Sequence, residues 1–250
     1  LRVAVIGAGS AGLAAAQQFR QVVQALELVV FERSDVLGGL WQYTRDPGPC
    51  AVHVPRTDEY AAGYATWPAY SHITPSAIYD GLRTNIVSVR VRVLILMQDV
   101  MAFRGLPFPP GTAMFPDRGA LRGGPLTYQR VSIDLEAFAA KYDLAKYVRF
   151  RTEVQSLARV GGTWRVSWTS LDSSQVHTDE FDCVVAAHGR CNVPYIPPVP
   201  GIEHFRGRQM HSAWYRFPDK VGGRRILVVG NNSSGGDVAR ELSGGTVRSW

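Results

Sequence analysis

Three glycines and one acid give the chain its first candidate chemistry. Gly7, Gly9 and Gly12 stand at G-x-G-x-x-G spacing, and Glu32 follows 20 residues after the last of them. In such a pattern the first glycine makes a tight turn. The second lets backbone approach a pyrophosphate, and the third lets a helix pack close to a strand. The helix start, with Ser10 and Ala11, offers backbone N–H groups and a dipole end to the phosphates. A carboxylate at Glu32 accepts from ribose hydroxyls and would repel a 2′-phosphate, so this site suits FAD or NAD better than NADP. A second cluster, Gly230-Asn231-Asn232-Ser233-Ser234-Gly235-Gly236-Asp237, is a variant of the same turn. Asn232 replaces the middle glycine. Asn tolerates positive φ better than most residues, so the turn can survive, with less free approach to a pyrophosphate. No catalytic triad and no metal-ligating cluster is evident. The chemistry on offer is that of bound dinucleotides.

These residues need particular elements around them. Val3 to Ile6 is a short apolar run that predicts a buried parallel strand, Leu13 to Gln24 suits a helix, and Leu28 to Phe31 predicts a second strand ending at Glu32. Further on, Ile133 to Tyr142 has helical spacing. Val148 to Val154, Thr163 to Trp168 and Cys183 to Ala187 read as strands. Arg225 to Val229 predicts a strand leading into the second turn, followed by a helix from Val238 to Leu242. Residues 42 to 76 and 105 to 125 read as loops. Pro194 to Pro200 holds four prolines in seven residues and predicts a stiff linker. The fold class is therefore α/β, with two dinucleotide-binding Rossmann-like domains: residues 1–195, and linker plus domain start over 196–250. One strand and one helix cannot cover both faces of a parallel sheet, so the second domain reads as incomplete and the chain as the N-terminal part of a longer protein.

Composition bounds the rest. The 250 residues carry a formal net charge of +6 and are 46% hydrophobic, enough for a sizeable core. No run of five like charges appears, which argues against a nucleic-acid arm. No 18-residue apolar stretch exists, so no transmembrane helix is expected. Cys50, Cys183 and Cys191 form no C-x-x-C pair and fit free thiols in a reducing, cytoplasmic compartment.

Ordered motifs then carry a resemblance. They are Phe31-Glu32-Arg33 with Gly38-Gly39-Leu40-Trp41, Tyr79-x-x-Leu82-x-Thr84-Asn85, Met101-x-Phe103, Thr152-x-Val154, Phe205-x-Gly207-x-x-x-His211-x-x-x-Tyr215, and the second turn. Together they resemble the flavin-containing monooxygenases, class B flavin enzymes. The resemblance implies FAD at the first turn and NADP at the second. It implies that Gly39, Leu40 and Trp41 line the flavin and that Val154 meets its adenine. Gly230, Ser234, Gly235, Gly236 and Asp237 would contact NADP. Thr84 and Asn85 would lie at the reactive edge, with Asn85 as the catalytic candidate. Its amide both donates and accepts, which suits a flavin–nicotinamide pair. The implied reaction is NADPH reduction of FAD, a C4a-hydroperoxide formed with O₂, and attack on it by a soft nitrogen or sulfur of a small-molecule substrate. Baeyer–Villiger monooxygenases carry a related motif with Trp where Tyr215 stands. A disulfide reductase would need a cysteine pair after Gly38-Gly39, where only Cys50 is found. A truncated flavin-binding remnant without turnover is the non-enzymatic alternative. Val87 to Gln98 interrupts the pattern after Asn85. Its alternation predicts a strand. Its end dipeptides, Val-Ser and Met-Gln, can also be encoded by intron-end sequences, which makes a retained intron the competing expectation.

Overall fold

The structure is a computed structural model and describes residues 1–48, 50, 76–80, 82, 103–106, 128–192, 194, 199–221 and 225–243. These divide into two compact units, residues 1–42 with 83–189, and residues 43–82 with 190–250.

The first unit is built on β1 (Arg2–Ile6), whose Val3, Ala4 and Val5 are all fully buried. A strand buried on both faces must be covered on both, and it is. β1 pairs in parallel with β2 (Glu27–Phe31) on one side, Val3 opposite Leu28. On the other side it pairs in parallel with β7 (Cys183–Ala186), Val3 opposite Cys183. β2 also pairs with the short β3 (Val148–Arg149), giving the order β3-β2-β1-β7.

Alternation along these strands separates two cores. Val3, Val5, Leu28 and Val30 pack against Leu13 and Ala16 of α1 (Ser10–Val22) and Leu135, Phe138 and Ala139 of α2 (Tyr128–Lys141). Ala4, Val29 and Phe31 face the other way. They meet Val166 and Phe181 of an antiparallel meander, β4 (Thr152–Val160), β5 (Thr163–Ser170) and β6 (Val176–Phe181). Phe31 meets Phe181 edge-on at 6.0 Å between centroids. The parallel sheet is thus covered by helices on one face and by the meander on the other.

Several elements differ from their sequence-based expectations, among them α2, which starts at Tyr128, five residues before the expected Ile133. The run from Val148 to Val154 is two strands in two sheets, because Arg151 takes a positive φ of 50° between them. A forked contact of Arg151 Nε to Asp172 Oδ2, 2.9 Å, holds that corner. β6 was not predicted. Its residues His177, Asp179 and Glu180 mask an alternation in which only Phe181 is buried. Arg225 to Val229 is not a strand. Leu227 is 83% and Val229 66% exposed, and no ladder partner for them occurs among the described residues. The helix after the second turn, α3 (Ser233–Leu242), starts five residues before the predicted Val238. Ser and Gly are weak helix formers, so the turn and not propensity starts it. Among the described residues no helix is long and apolar enough to cross a membrane.

Candidate functional site

The first turn sits where β1 ends. Gly7 N–H donates to Phe31 O at 2.8 Å, which ties the turn to the end of β2. Gly12 is the third glycine of the pattern. A Cβ added there would lie 1.8 Å from Gly7 O, so helix and turn touch backbone to backbone. The N-cap Gly9 supplies no side-chain hydrogen bond, and the first turn of α1 holds no acid. The initial amides of a helix have no intrahelical partner. Here Ser10 and Ala11 lie exposed, open to an anion.

Glu32 is 8% exposed and takes two backbone donors. Ala8 N–H reaches Oε2 at 2.7 Å and Ser34 N–H reaches Oε1 at 2.8 Å. A carboxylate has about four lone-pair sites, so capacity for ribose hydroxyls is left. The acid therefore braces the glycine turn as well as facing it. Gly38 N–H donates to Ala8 O at 3.1 Å, and a Cβ on Gly39 would stand 3.2 Å from Gly9 Cα. Side chains at Gly9 or Gly39 would fill the space between the two segments, which fits a flat, extended ligand lying across them. Gly39, Leu40 and Trp41 form one 3-10 turn; Trp41 packs into the core and Leu40 is 43% exposed. Val154 lies opposite Trp168 in the meander, against the cluster that holds Phe31. From the end of β7, Ala187 O and His188 Cα back onto Gly7. Thr84 and Asn85, with Val87 to Gln98, lie outside the described residues.

The second turn repeats the first. Gly230 has φ 119° where Gly7 has 101°. A Cβ on Gly235 would lie 2.0 Å from Gly230 O, matching the Gly12–Gly7 contact. Gly236 N–H donates to Asn232 O at 3.0 Å as Leu13 N–H donates to Gly9 O at 2.9 Å. Asn232 thus occupies the place of Gly9, and its φ is −96°, in extended backbone. This corrects the expectation that the position uses the tolerance of Asn for positive φ. What Asn232 changes is the cap: its Oδ1 accepts from Ser233 N–H at 2.8 Å. A ligand phosphate arriving at Ser233, Ser234 and Gly235 must displace that oxygen. Caps are worth about 1 kcal/mol, and Gly replaces Asn at a cost of a few tenths. Asn232→Gly is therefore expected to tighten dinucleotide binding by only about twofold, read as the dissociation constant in a titration. An unchanged constant would mean that the cap moves aside without cost.

Asp237 has both carboxylate oxygens engaged by protein. Tyr79 donates its hydroxyl to Oδ2 at 2.6 Å, and Arg240 Nη2 reaches Oδ1 at 3.1 Å. One turn on, Glu241 Oε2 accepts from Tyr215 at 2.7 Å. Burial, then the hydrogen bond to its acid, pushes each phenol well above the ordinary tyrosine range, so both stay protonated donors. The rest of the Phe205-to-Tyr215 motif is packing. The Phe205 ring lies over Gly207, where a Cβ would meet Cζ at 2.4 Å. His211 Nδ1 accepts from Ala213 N–H at 3.1 Å and caps the turn Ser212–Trp214. Arg216, next in sequence, is 2% exposed. A cavity of about 380 Å³ in the same unit is lined by Arg45, Arg208, Arg216, Lys220, Trp214 and Phe217 among others. None of the sequence-predicted cofactor residues lines it. Arg216 gave no sequence signal beyond its place after Tyr215, and Tyr79 was visible only as a motif position.

The family described as flavin-binding monooxygenase-like matches residues 122–248, just over half of the chain, and a NAD(P)-binding Rossmann-like domain matches residues 5–73. Flavin-containing monooxygenase FMO GS-OX5 of Arabidopsis thaliana is 36% identical over 98% of this chain and 47% of its own length. The S-allyl-L-cysteine S-oxygenase of Allium sativum is 30% identical, with a TM-score of 0.71 over 97% of this chain and 48% of that one. A cyclohexanone monooxygenase mutant from Rhodococcus, solved with NADP⁺, shares the fold at 23% identity and a TM-score of 0.52, over 97% of this chain and 36% of that one. The chain spans about half the length of the curated relatives it matches. With its parallel sheet, its two glycine turns and these matches, the chain belongs to the flavin-binding monooxygenase-like family.

Proposed function

We propose that the protein is an FAD- and NADPH-dependent monooxygenase that oxygenates a soft nitrogen or sulfur of a small molecule. One observation carries this reading: the same glycine turn into a helix occurs twice in one chain, with matching backbone contacts at Gly12 and Gly235. Two dinucleotides are the ligands such a pair serves. The choice of nitrogen or sulfur over a ketone is supported by Tyr215 at the motif's last position and by the S-oxygenase among its relatives.

When bound, the two cofactors supply the redox chemistry, hydride delivery from NADPH and O₂ activation on reduced flavin. The chain's own residues bind and orient. Amides from Ser10, Ala11 and Gly12 meet the FAD pyrophosphate, and Glu32 accepts from its ribose. Gly39, Leu40 and Trp41 border the flavin, and Val154 the adenine. Gly230, Ser234, Gly235 and Gly236 receive the NADPH phosphates. Thr84 and Asn85 serve the reacting edge, Asn85 by orienting the nicotinamide amide against the flavin.

The test is to purify the full-length protein, record its flavin absorbance, and follow NADPH oxidation with a thioether and with a ketone. Sulfoxide formation supports the proposal. Ester formation from the ketone makes it a Baeyer–Villiger enzyme, and bound flavin without turnover makes it a flavin-binding remnant. Glu32→Gln should separately weaken FAD retention about 10-fold or more, since hydrogen bonds to a charged acceptor are worth about 1.5–3 kcal/mol. Flavin content after dialysis reads this directly.

A further inference from the structure

The acids on α3 stand close to a turn that is read as receiving an anion. Asp237 and Glu241 are four residues apart, so they project from one helix face, where like charges repel. Their surroundings explain how the face is kept. Tyr79 and Tyr215 are 4% and 1% exposed, and their rings meet at 5.8 Å between centroids, tilted by 59°. Each phenol donates to one acid, Tyr79 to Asp237 and Tyr215 to Glu241. Val238, 8% exposed, closes the same cluster, with Leu82, Met210, Val221 and Leu242 packed around it. The segment bearing Tyr79 is itself fixed to the segment bearing Tyr215, since Asp80 N–H donates to Arg216 O at 2.9 Å.

We infer that Tyr79 and Tyr215 are positioning residues for the second dinucleotide turn, acting through Asp237 and Glu241. The two phenols and two carboxylates form a clasp that fixes the rotation and height of α3. Asp237 then serves the site from behind the helix, holding Ser233 to Gly236 in place, and makes no contact with the ligand. This differs from the direct contact that the sequence pattern implies for Asp237. It rests on the reading of the second turn as the NADP site.

A double-mutant cycle on the full-length protein tests it, with Tyr79→Phe, Asp237→Ala and the double variant. The readout is the NADP⁺ dissociation constant at constant flavin content. Each single variant should weaken binding about 10-fold, and the double variant should be no weaker than either, since both remove one link. Asp237→Asn keeps an acceptor for the phenol and should recover most of the affinity. Tyr215→Phe should weaken binding in the same sense. A further full loss on adding Asp237→Ala to Tyr79→Phe would show direct ligand contact by Asp237 and overturn the inference. So would unchanged binding in Tyr79→Phe. If the unmutated protein binds neither NADP⁺ nor NADPH, the dinucleotide reading of the turn fails instead. The same cycle read by thermal unfolding still reports the clasp: coupled losses support the bonds, and additive losses remove them.

Discussion

Arg216→Ala is expected to cost the protein roughly 4–5 kcal/mol, a large part of the stability of an ordinary domain. The side chain is 2% exposed and ends in a ring of backbone carbonyls. Its Nε donates to Thr44 O at 2.6 Å and Nη2 to Ser76 O at 2.9 Å. Nη1 donates to Ala213 O at 2.9 Å and Tyr215 O at 2.7 Å. Tyr43 covers the guanidinium with its ring face, 5.6 Å from the centroid. No carboxylate belongs to this set, and burial accordingly pulls the guanidinium pKa below its ordinary value. It stays charged all the same, because an arginine does not deprotonate in proteins. Four carbonyl dipoles from three stretches of chain stabilise it. Removing the side chain leaves those carbonyls short of a strong donor, and each buried polar group left unsatisfied costs about 1–3 kcal/mol. The losses are not additive, because the freed loops relax together. Arg216→Lys keeps the charge but not the fork, and should recover less than half of the loss. Denaturant unfolding of the three proteins measures this. A loss below about 1 kcal/mol for Arg216→Ala would mean that water reaches the carbonyls.

The second large effect is at Gly12. Gly12→Ala places a methyl 1.8 Å from Gly7 O, a backbone atom, and the position of the methyl is itself fixed by the backbone. Overpacking against side chains costs about 1–3 kcal/mol, and here no rotamer can turn aside, so about 3 kcal/mol or more is expected. The helix must slide away from β1, which also moves the amides of Ser10 and Ala11 from the phosphate position. Loss of stability and loss of flavin should therefore arrive together. Gly235→Ala should behave alike at the second turn, 2.0 Å from Gly230 O. Gly236→Ala is the contrast. Nothing lies within 4 Å of a Cβ there, and Ala favours helix over Gly by about 1 kcal/mol, so it should stabilise α3. Equal losses for Gly235→Ala and Gly236→Ala would remove the close-approach argument.

What could be read from the sequence was what is local. β1, α1, β2 and Glu32 follow one another within 32 residues, and each announces itself by apolar run, glycine spacing or charge. The break at Arg151 was not legible, because a positive φ at an arginine has no signal in residue type; it follows from Val148–Arg149 joining one sheet and Thr152 onward another. β6 was hidden for a related reason. Its outward residues are charged, and its strand character comes from pairing with β5, Trp164 opposite Phe181. At the sites, Glu32 was found by spacing, but its bond to Ala8 was not. The bond between Asp237 and Tyr79 was not legible, because the two lie 158 residues apart. Asn232 shows the limit of matching a residue to a pattern. The position was recognised, yet its extended φ and its cap on Ser233 depend on where the helix starts.

The pairing of β1 with β7 has a consequence for how the molecule is made. Val3 hydrogen-bonds across to a strand that begins at Cys183, and Arg2 N–H to the Asp182 carboxylate, a separation of 180 residues. A chain emerging from the ribosome completes β1, α1 and β2 early, but one edge of β1 has no neighbour until β7 has followed. During that interval an apolar strand presents unpaired N–H and C=O groups, the condition under which nascent chains associate wrongly. Closing so long a loop is also slow compared with forming the local βαβ unit. Folding of the first unit is thus tied to synthesis of its last strand. Truncations that end before Cys183 should yield aggregated chains in place of a smaller nucleotide-binding domain.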